Sequence, residues 1–248
     1  MSVIWFHTDP PVTKFANVIK CPLYKTNEGS NIFLNSMINQ ILSLEEQITS
    51  EELVSEVPAN GIDPYPYTRH WKQHNLFWDA SALDGENLER FEMTPEFEKM
   101  FHIVRKNYLL FLKELNYPRI KVYIHAWANV LREGQWISRH FHMADEQAYL
   151  SGCYYLTTVN TTLMLYNPIR PDHVESFQTN AGNLLFFPSW VPHESTVYHG
   201  SEYRISLAFD IVTEANMKSN PWRPHVLFDD PETMEGFEMY LKDRTLTI

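Results

Sequence analysis

Residues 182–193 read Gly182-Asn183-Leu184-Leu185-Phe186-Phe187-Pro188-Ser189-Trp190-Val191-Pro192-His193. The run Asn183–Phe187 has strand composition, and it stops at a proline-rich corner that projects His193 from the end of a β-run. Outward from it, the flanking sequence repeats this pattern. Short alternating or β-rich runs cover Ile120–Leu131, Gln147–Thr158, Thr161–Tyr166, Val174–Thr179 and Tyr203–Val212, with Gly, Pro, Asn and Asp between them. Strands at such regular spacing predict a β-sandwich or jelly roll over residues 119–212.

Upstream the character is different. Residues 1–29 read as irregular, punctuated by Pro10, Pro11 and Pro22. Ser30 then reads as an N-cap for a helix whose apolar positions Phe33, Met37, Ile38, Ile41 and Leu42 recur at helical spacing, ending near Glu46 to Ser50. A second, acidic helical piece is expected over Glu51–Val57, before a turn-rich aromatic segment through Gly61, Pro64, Pro66, Trp71 and Trp78. Thr94-Pro95-Glu96 combines an N-cap, a proline at the first helical position and an acid in the first turn. The stripe Phe97, Phe101, Val104, Tyr108, Phe111, Leu112 and Leu115 makes this a long packed helix ending before Pro118. A short helix is expected near Thr233–Leu241. The fold class is therefore mainly β with flanking helices: irregular and helical support over 1–118, a β core over 119–212 and a C-terminal extension over 213–248.

The composition excludes several classes. In 248 residues, 44% are hydrophobic, 14% aromatic and 21% charged, a balance too rich in rings for disorder and sufficient for one large core. Charge interrupts every apolar stretch well short of the ~20 residues a membrane helix needs. The N-terminal residues lack the basic leader and apolar core of a signal peptide, so a cytoplasmic location is expected. Cys21 and Cys153 form no CxxC pair, and both read as small buried hydrophobes. The net charge of −11 disfavours a nucleic-acid partner, because binding phosphate needs a basic surface.

Most of the 11 histidines stand alone and read as surface or hydrogen-bonded side chains. His140-Phe141-His142 is different: on a strand, residues two apart share a face, so both imidazoles could hold one metal. With His193 in the same β core, three histidines could form a facial site with open positions. Eleven residues beyond His193, Arg204-Ile205-Ser206 opens the last strong strand. Alternation puts the Arg204 guanidinium and the Ser206 hydroxyl on one face, an arrangement that suits a carboxylate held inside the barrel. Pairing of Arg204 with a structural acid is the competing reading.

Taken in order, His140-x-His142, Leu150–Leu156, Gly182–Trp190, His193 and Arg204-x-Ser206 resemble the Fe(II)/2-oxoglutarate-dependent oxygenases. Within that superfamily the resemblance is to the 2OG-Fe(II) oxygenase branch of bacteria and phages, which is similar to prolyl hydroxylases. It covers residues 119–212 well and the upstream helices more loosely. It implies a double-stranded β-helix (jelly roll), with His140 and His193 as metal ligands, and Arg204 and Ser206 on the distal carboxylate of 2-oxoglutarate. Tyr155 stands where prolyl-hydroxylase-like relatives place a tyrosine hydroxyl on that carboxylate, and Asn129, on the strand leading to Gly134, could reach the metal-proximal end. The implied cofactors are Fe(II) and 2-oxoglutarate, and the implied activity is hydroxylation with release of succinate and carbon dioxide.

One position departs from the pattern. Most of the superfamily has HxD, whereas here His142 stands where the acid would be. Three histidines, a carboxylate from Asp145, or water could complete the triad. The functional alternatives are a cupin-like metalloenzyme or zinc hydrolase that uses no 2-oxoglutarate, and a jelly-roll module that only binds or scaffolds. The expected partner is a small-molecule or peptidyl substrate, with no nucleic acid and no membrane, and a homodimer stays open. The tryptophans Trp71, Trp78, Trp127, Trp136 and Trp190 read as packing between the helices and the β core, with an entrance to the site as the alternative. Arg132 and Arg139 read as solvated charges, the alternative being attraction of an anionic substrate.

Overall fold

The computed structural model describes residues 2–7, 13–16, 18–50, 66–77, 94–219 and 224–233. Trp78, Gly61, Pro64 and the expected helical piece over 51–57 lie outside these residues, as does nearly all of the helix expected near the C-terminus.

Strand β1 (Ser2–His7), β2 (Lys20–Asn27), β3 (Val122–Leu131), β4 (Leu150–Tyr155), β7 (Asn183–Pro188), β9 (Arg204–Thr213) and β10 (Val226–Asp229) form one seven-stranded sheet in the order β1-β2-β7-β4-β9-β3-β10. Its pairings are all antiparallel. Strands β5 (Thr162–Tyr166), β6 (Val174–Gln178) and β8 (His193–Ser195) form a three-stranded antiparallel sheet in the order β6-β5-β8. Helices α1 (Asn31–Ser50), α2 (Pro66–Lys72), α3 (Pro95–Glu114) and α4 (Glu214–Ser219) complete the described elements.

The period-two geometry of the strands explains how the large sheet is covered. On β7, Leu184 and Phe186 join the core shared with α1 and α3, whereas Leu185 and Phe187 join the core under the small sheet. On β9, Ile205, Leu207, Phe209 and Ile211 face the helices, so Arg204, Ser206, Ala208 and Asp210 face the other way. Every residue of β4 and β7 is buried, and these strands accordingly lack a clean alternation of apolar and polar residues. Gly152 shows how closely the strands pack: a Cβ there would run into the Leu185 carbonyl and the Phe209 ring.

The helices begin as their sequences predict. Ser30 Oγ accepts from Phe33 N–H at 3.4 Å, and Thr94 Oγ1 accepts from Phe97 N–H at 3.4 Å. All six expected β-runs appear as strands, within a few residues at each end. The N-terminal residues correct the reading: the segment taken as irregular holds β1 and β2, and β2 pairs with β7 through Tyr24↔Phe186 and Asn27↔Asn183. Likewise β10 extends the sheet along β3 beyond residue 212. A partner more than 150 residues away leaves no local periodicity to read.

Candidate metal centre

The cavity between the two sheets, with about 700 Å³ of open space including its mouth, receives all seven side chains singled out from the sequence: Asn129, His140, His142, Tyr155, His193, Arg204 and Ser206. Two unrelated pieces of backbone bring the histidines together. His193 opens β8 after the Pro188–Pro192 corner, and His140 forms an isolated antiparallel bridge to it, with His140 N–H donating to the His193 carbonyl at 3.0 Å and the reverse bond at 2.8 Å. His142 N–H donates to the Ser189 carbonyl at 2.9 Å, which fixes the loop holding the His-x-His pair.

The ring nitrogens of His140, His142 and His193 lie within 4.8 Å of one another, the one such cluster among the described residues. Each ring is oriented from behind. His140 Nδ1 donates to the Ser138 carbonyl at 2.7 Å and His193 Nδ1 to the Val191 carbonyl at 2.9 Å. Because a carbonyl can only accept, both rings carry the proton on Nδ1, leaving the Nε2 lone pairs for the cavity. The Nε2 atoms of His142 and His140 are 3.2 Å apart. Two nitrogens held ~2.1 Å from one ion at a right angle lie ~3.0 Å apart, so this pair is spaced to share a metal. Burial holds His140 down at about 3 from an ordinary 6.5, helped by the neighbouring His142 and Lys72 charges. Burial also pushes His193 well below its usual value, so both stay in the neutral, ligating form.

His142 is held differently. Its Nδ1 is hydrogen-bonded to the Asp210 carboxylate and lies 3.2 Å from Ser151 Oγ, which itself donates to Asp210 at 2.7 Å. Asp145, the acid considered as a ligand, is exposed and outside the cluster; its carboxylate accepts from Gln147 N–H at 2.9 Å.

At the far side of the cavity, Arg204 is 3% exposed. Its guanidinium lies 3.4 Å from both Ser206 Oγ and Thr161 Oγ1 and 5.4 Å from the Tyr155 ring. No carboxylate of the described residues pairs with it, so the structural-acid reading is not met. A buried guanidinium without an acid is costly until an anion arrives. Burial drives the Tyr155 phenol well above its usual range, keeping it a neutral donor, and Cys153 Sγ donates to its hydroxyl at 3.3 Å. Asn129 lies opposite Ser206 in the β3–β9 register, and its Oδ1 accepts from Thr68 Oγ1 at 3.4 Å.

The remaining cavity wall contains residues that the sequence did not flag for the site, among them Lys72 and Thr68 from α2. Lys72 Nζ sits 4.9 Å from the centre of the Trp127 ring. Of the tryptophans, Trp71 packs in the main core, Trp127 lines the cavity, Trp190 packs against the second core and Trp136 is exposed. Arg132 is bound by Glu45 at 2.7 Å on α1, and Arg139 by Glu194 at 3.2 Å near the mouth. Asp210 was missed as well, although it stands on the same face of β9 as Arg204 and Ser206, four residues past Ser206.

Residues 170–210, which contain His193, Arg204, Ser206 and Asp210, match the family model described as Putative 2OG-Fe(II) oxygenase. No curated protein sequence matches the chain. Among solved structures, the fold is similar to that of the non-haem α-ketoglutarate-dependent carbocyclase SnoK of nogalamycin biosynthesis, at 11% identity over 86% of this chain and 89% of that one, with a TM-score of 0.50. A Pseudomonas putida prolyl-4-hydroxylase aligns at 12% identity over 77% of this chain and 88% of its own, with a TM-score of 0.48. A Trichoplax adhaerens prolyl hydroxylase aligns at 15% identity over 79% and 86%, with a TM-score of 0.49. The segment 170–210 is thus similar to the Fe(II)/2-oxoglutarate-dependent oxygenases in sequence, and the chain shares the fold of a structure from that group.

Proposed function

We propose that this protein is an Fe(II)- and 2-oxoglutarate-dependent dioxygenase that hydroxylates a small-molecule or peptidyl substrate, releasing succinate and carbon dioxide. The observation that carries the reading is the buried guanidinium of Arg204, which pairs with no acid among the described residues, in the same cavity as the His140, His142 and His193 cluster. One end of this cavity is built for a divalent cation and the other for a carboxylate.

His140, His142 and His193 would hold the metal through Nε2. Bound iron supplies oxygen activation coupled to decarboxylation of the keto acid. The protein's own work is positioning. Arg204 presents paired N–H donors to the distal carboxylate, Ser206 adds a hydroxyl, and the phenol of Tyr155, held neutral by burial, can donate a further bond. Leu163 and Phe187 line the same cavity and keep water from the reacting end. A net charge of −11 supports a substrate other than nucleic acid, and the expected location is the cytoplasm.

The test is addition of Fe(II) and 2-oxoglutarate to metal-free protein without oxygen. A visible charge-transfer band that requires both additions supports the proposal. Fe(II) binding with no band points to a metalloenzyme that does not use 2-oxoglutarate, and absence of metal binding points to a barrel that only binds or scaffolds.

A further inference from the structure

The metal cluster has a feature that its ligands alone do not explain. The three histidines are oriented by unequal partners: His140 and His193 donate to backbone carbonyls, but His142 is tied to a carboxylate. That carboxylate, Asp210, is 4% exposed, so its charge is little screened by water. It is also held in place. Ser151 stands directly opposite Asp210 in the β4–β9 register, and its hydroxyl donates to Asp210 Oδ1 at 2.7 Å. The same strand face carries Arg204 and Ser206, so one rigid β-strand supports both ends of the cavity.

We infer that Asp210 is the positioning residue of the metal centre: by accepting the His142 Nδ1 proton it supplies, one bond network away, the negative charge that a ligating carboxylate would bring to the metal itself. The inference rests on the metal-binding reading above. A neutral imidazole at the position of an acid makes the cluster one charge unit more positive, which opposes retention of a divalent cation. Donation of a ring N–H to a carboxylate shifts electron density toward the opposite nitrogen, making Nε2 a stronger ligand and fixing the tautomer that exposes it. Only His142, the residue in the acid's place, has this support. Asp145 is turned toward Gln147 N–H and cannot serve the same purpose.

The experiment is titration of metal-free protein with Co(II), followed by its visible absorption, in the wild type, Asp210→Asn and Ser151→Ala, with thermal unfolding of each metal-free protein in parallel. Asn keeps the size and the acceptor oxygen of the side chain but removes the charge. Asp210→Asn is expected to bind Co(II) 10–100-fold more weakly and with a shifted spectrum, while unfolding near the wild-type temperature without metal. Wild-type affinity within twofold in a folded Asp210→Asn protein would overturn the inference and leave the metal site standing. Failure of the wild type to bind Co(II) would overturn the metal-binding reading, and the inference with it. If Asp210→Asn does not fold, Ser151→Ala decides: it loosens the carboxylate without removing it, so several-fold weaker binding supports the role and unchanged affinity overturns it.

Discussion

Arg204 is the side chain whose loss separates the competing chemistries. Truncation in Arg204→Ala removes the buried guanidinium and its paired donors, and the affinity for 2-oxoglutarate should fall at least tenfold while Fe(II) binding persists; equilibrium titration of the charge-transfer band measures both. A metalloenzyme using the histidines without the keto acid would keep its activity in this variant. The ligand set can be tested in the same way. His142→Ala should abolish metal binding, because two imidazoles cannot replace a facial triad, whereas Asp145→Ala should be nearly silent, its carboxylate being exposed and engaged with Gln147 N–H. Metal content after dialysis distinguishes the two, and the opposite pattern would move the third ligand to Asp145.

The strands and helices that carry these residues have weak points of their own. Gly152→Ala on β4 would push a methyl group against the Leu185 carbonyl on one neighbouring strand and the Phe209 ring on the other. Backbone cannot swing aside as a flexible side chain can, so a loss of about 1–3 kcal/mol is expected, measured by urea unfolding. The third helix is fastened at its start by Thr94, whose Oγ1 accepts from Phe97 N–H, and in its middle by Arg105, whose Nη2 binds Asp229 at 3.0 Å. Arg119 binds the same carboxylate at 2.7 Å, so Asp229, 0% exposed, clamps β10 to both α3 and the approach to β3. Asp229→Ala would leave two guanidinium groups facing each other without their anion, and should cost about 3–5 kcal/mol in the same assay.

Taken as a whole, the folded protein holds two imidazoles, those of His140 and His193, that resist protonation. His140 is held at about 3 in the folded state against 6.5 in an unfolded chain, chiefly by burial. Above pH 6.5 both states are neutral at this ring and it contributes no pH dependence. As pH falls from 6.5 toward 3, the unfolded state takes up a proton that the folded state refuses, so stability falls through that window. His193 shifts in the same direction. Metal-free protein should therefore lose thermal stability on acidification in this range, and His140→Ala should flatten the slope. Co(II) should raise the unfolding temperature at pH 7, and progressively less at lower pH as protons compete for the ligands.

The β core was legible because its information is local. Apolar runs divided by turn residues marked β3 to β7 and β9, capping residues marked α1 and α3, and spacing by two placed Arg204 with Ser206, whereas His140 and His142 meet from a loop between β3 and β4 and not from the strand that their spacing predicted. The chemical identity of each candidate ligand was likewise fixed by residue type: three imidazoles, one guanidinium and no acid in the expected triad position. Other features depended on contacts between segments far apart in the chain. β1 and β2 join the sheet through a strand more than 150 residues away, and β10 through one about 100 residues earlier, so neither leaves a periodic trace in its own sequence. Asp210 looked like an ordinary residue of a strand. Its role emerges only when β4, β9 and the His140–His142 loop are packed, because a hydrogen bond between residues 68 apart is specified by where the chain returns and not by its local composition.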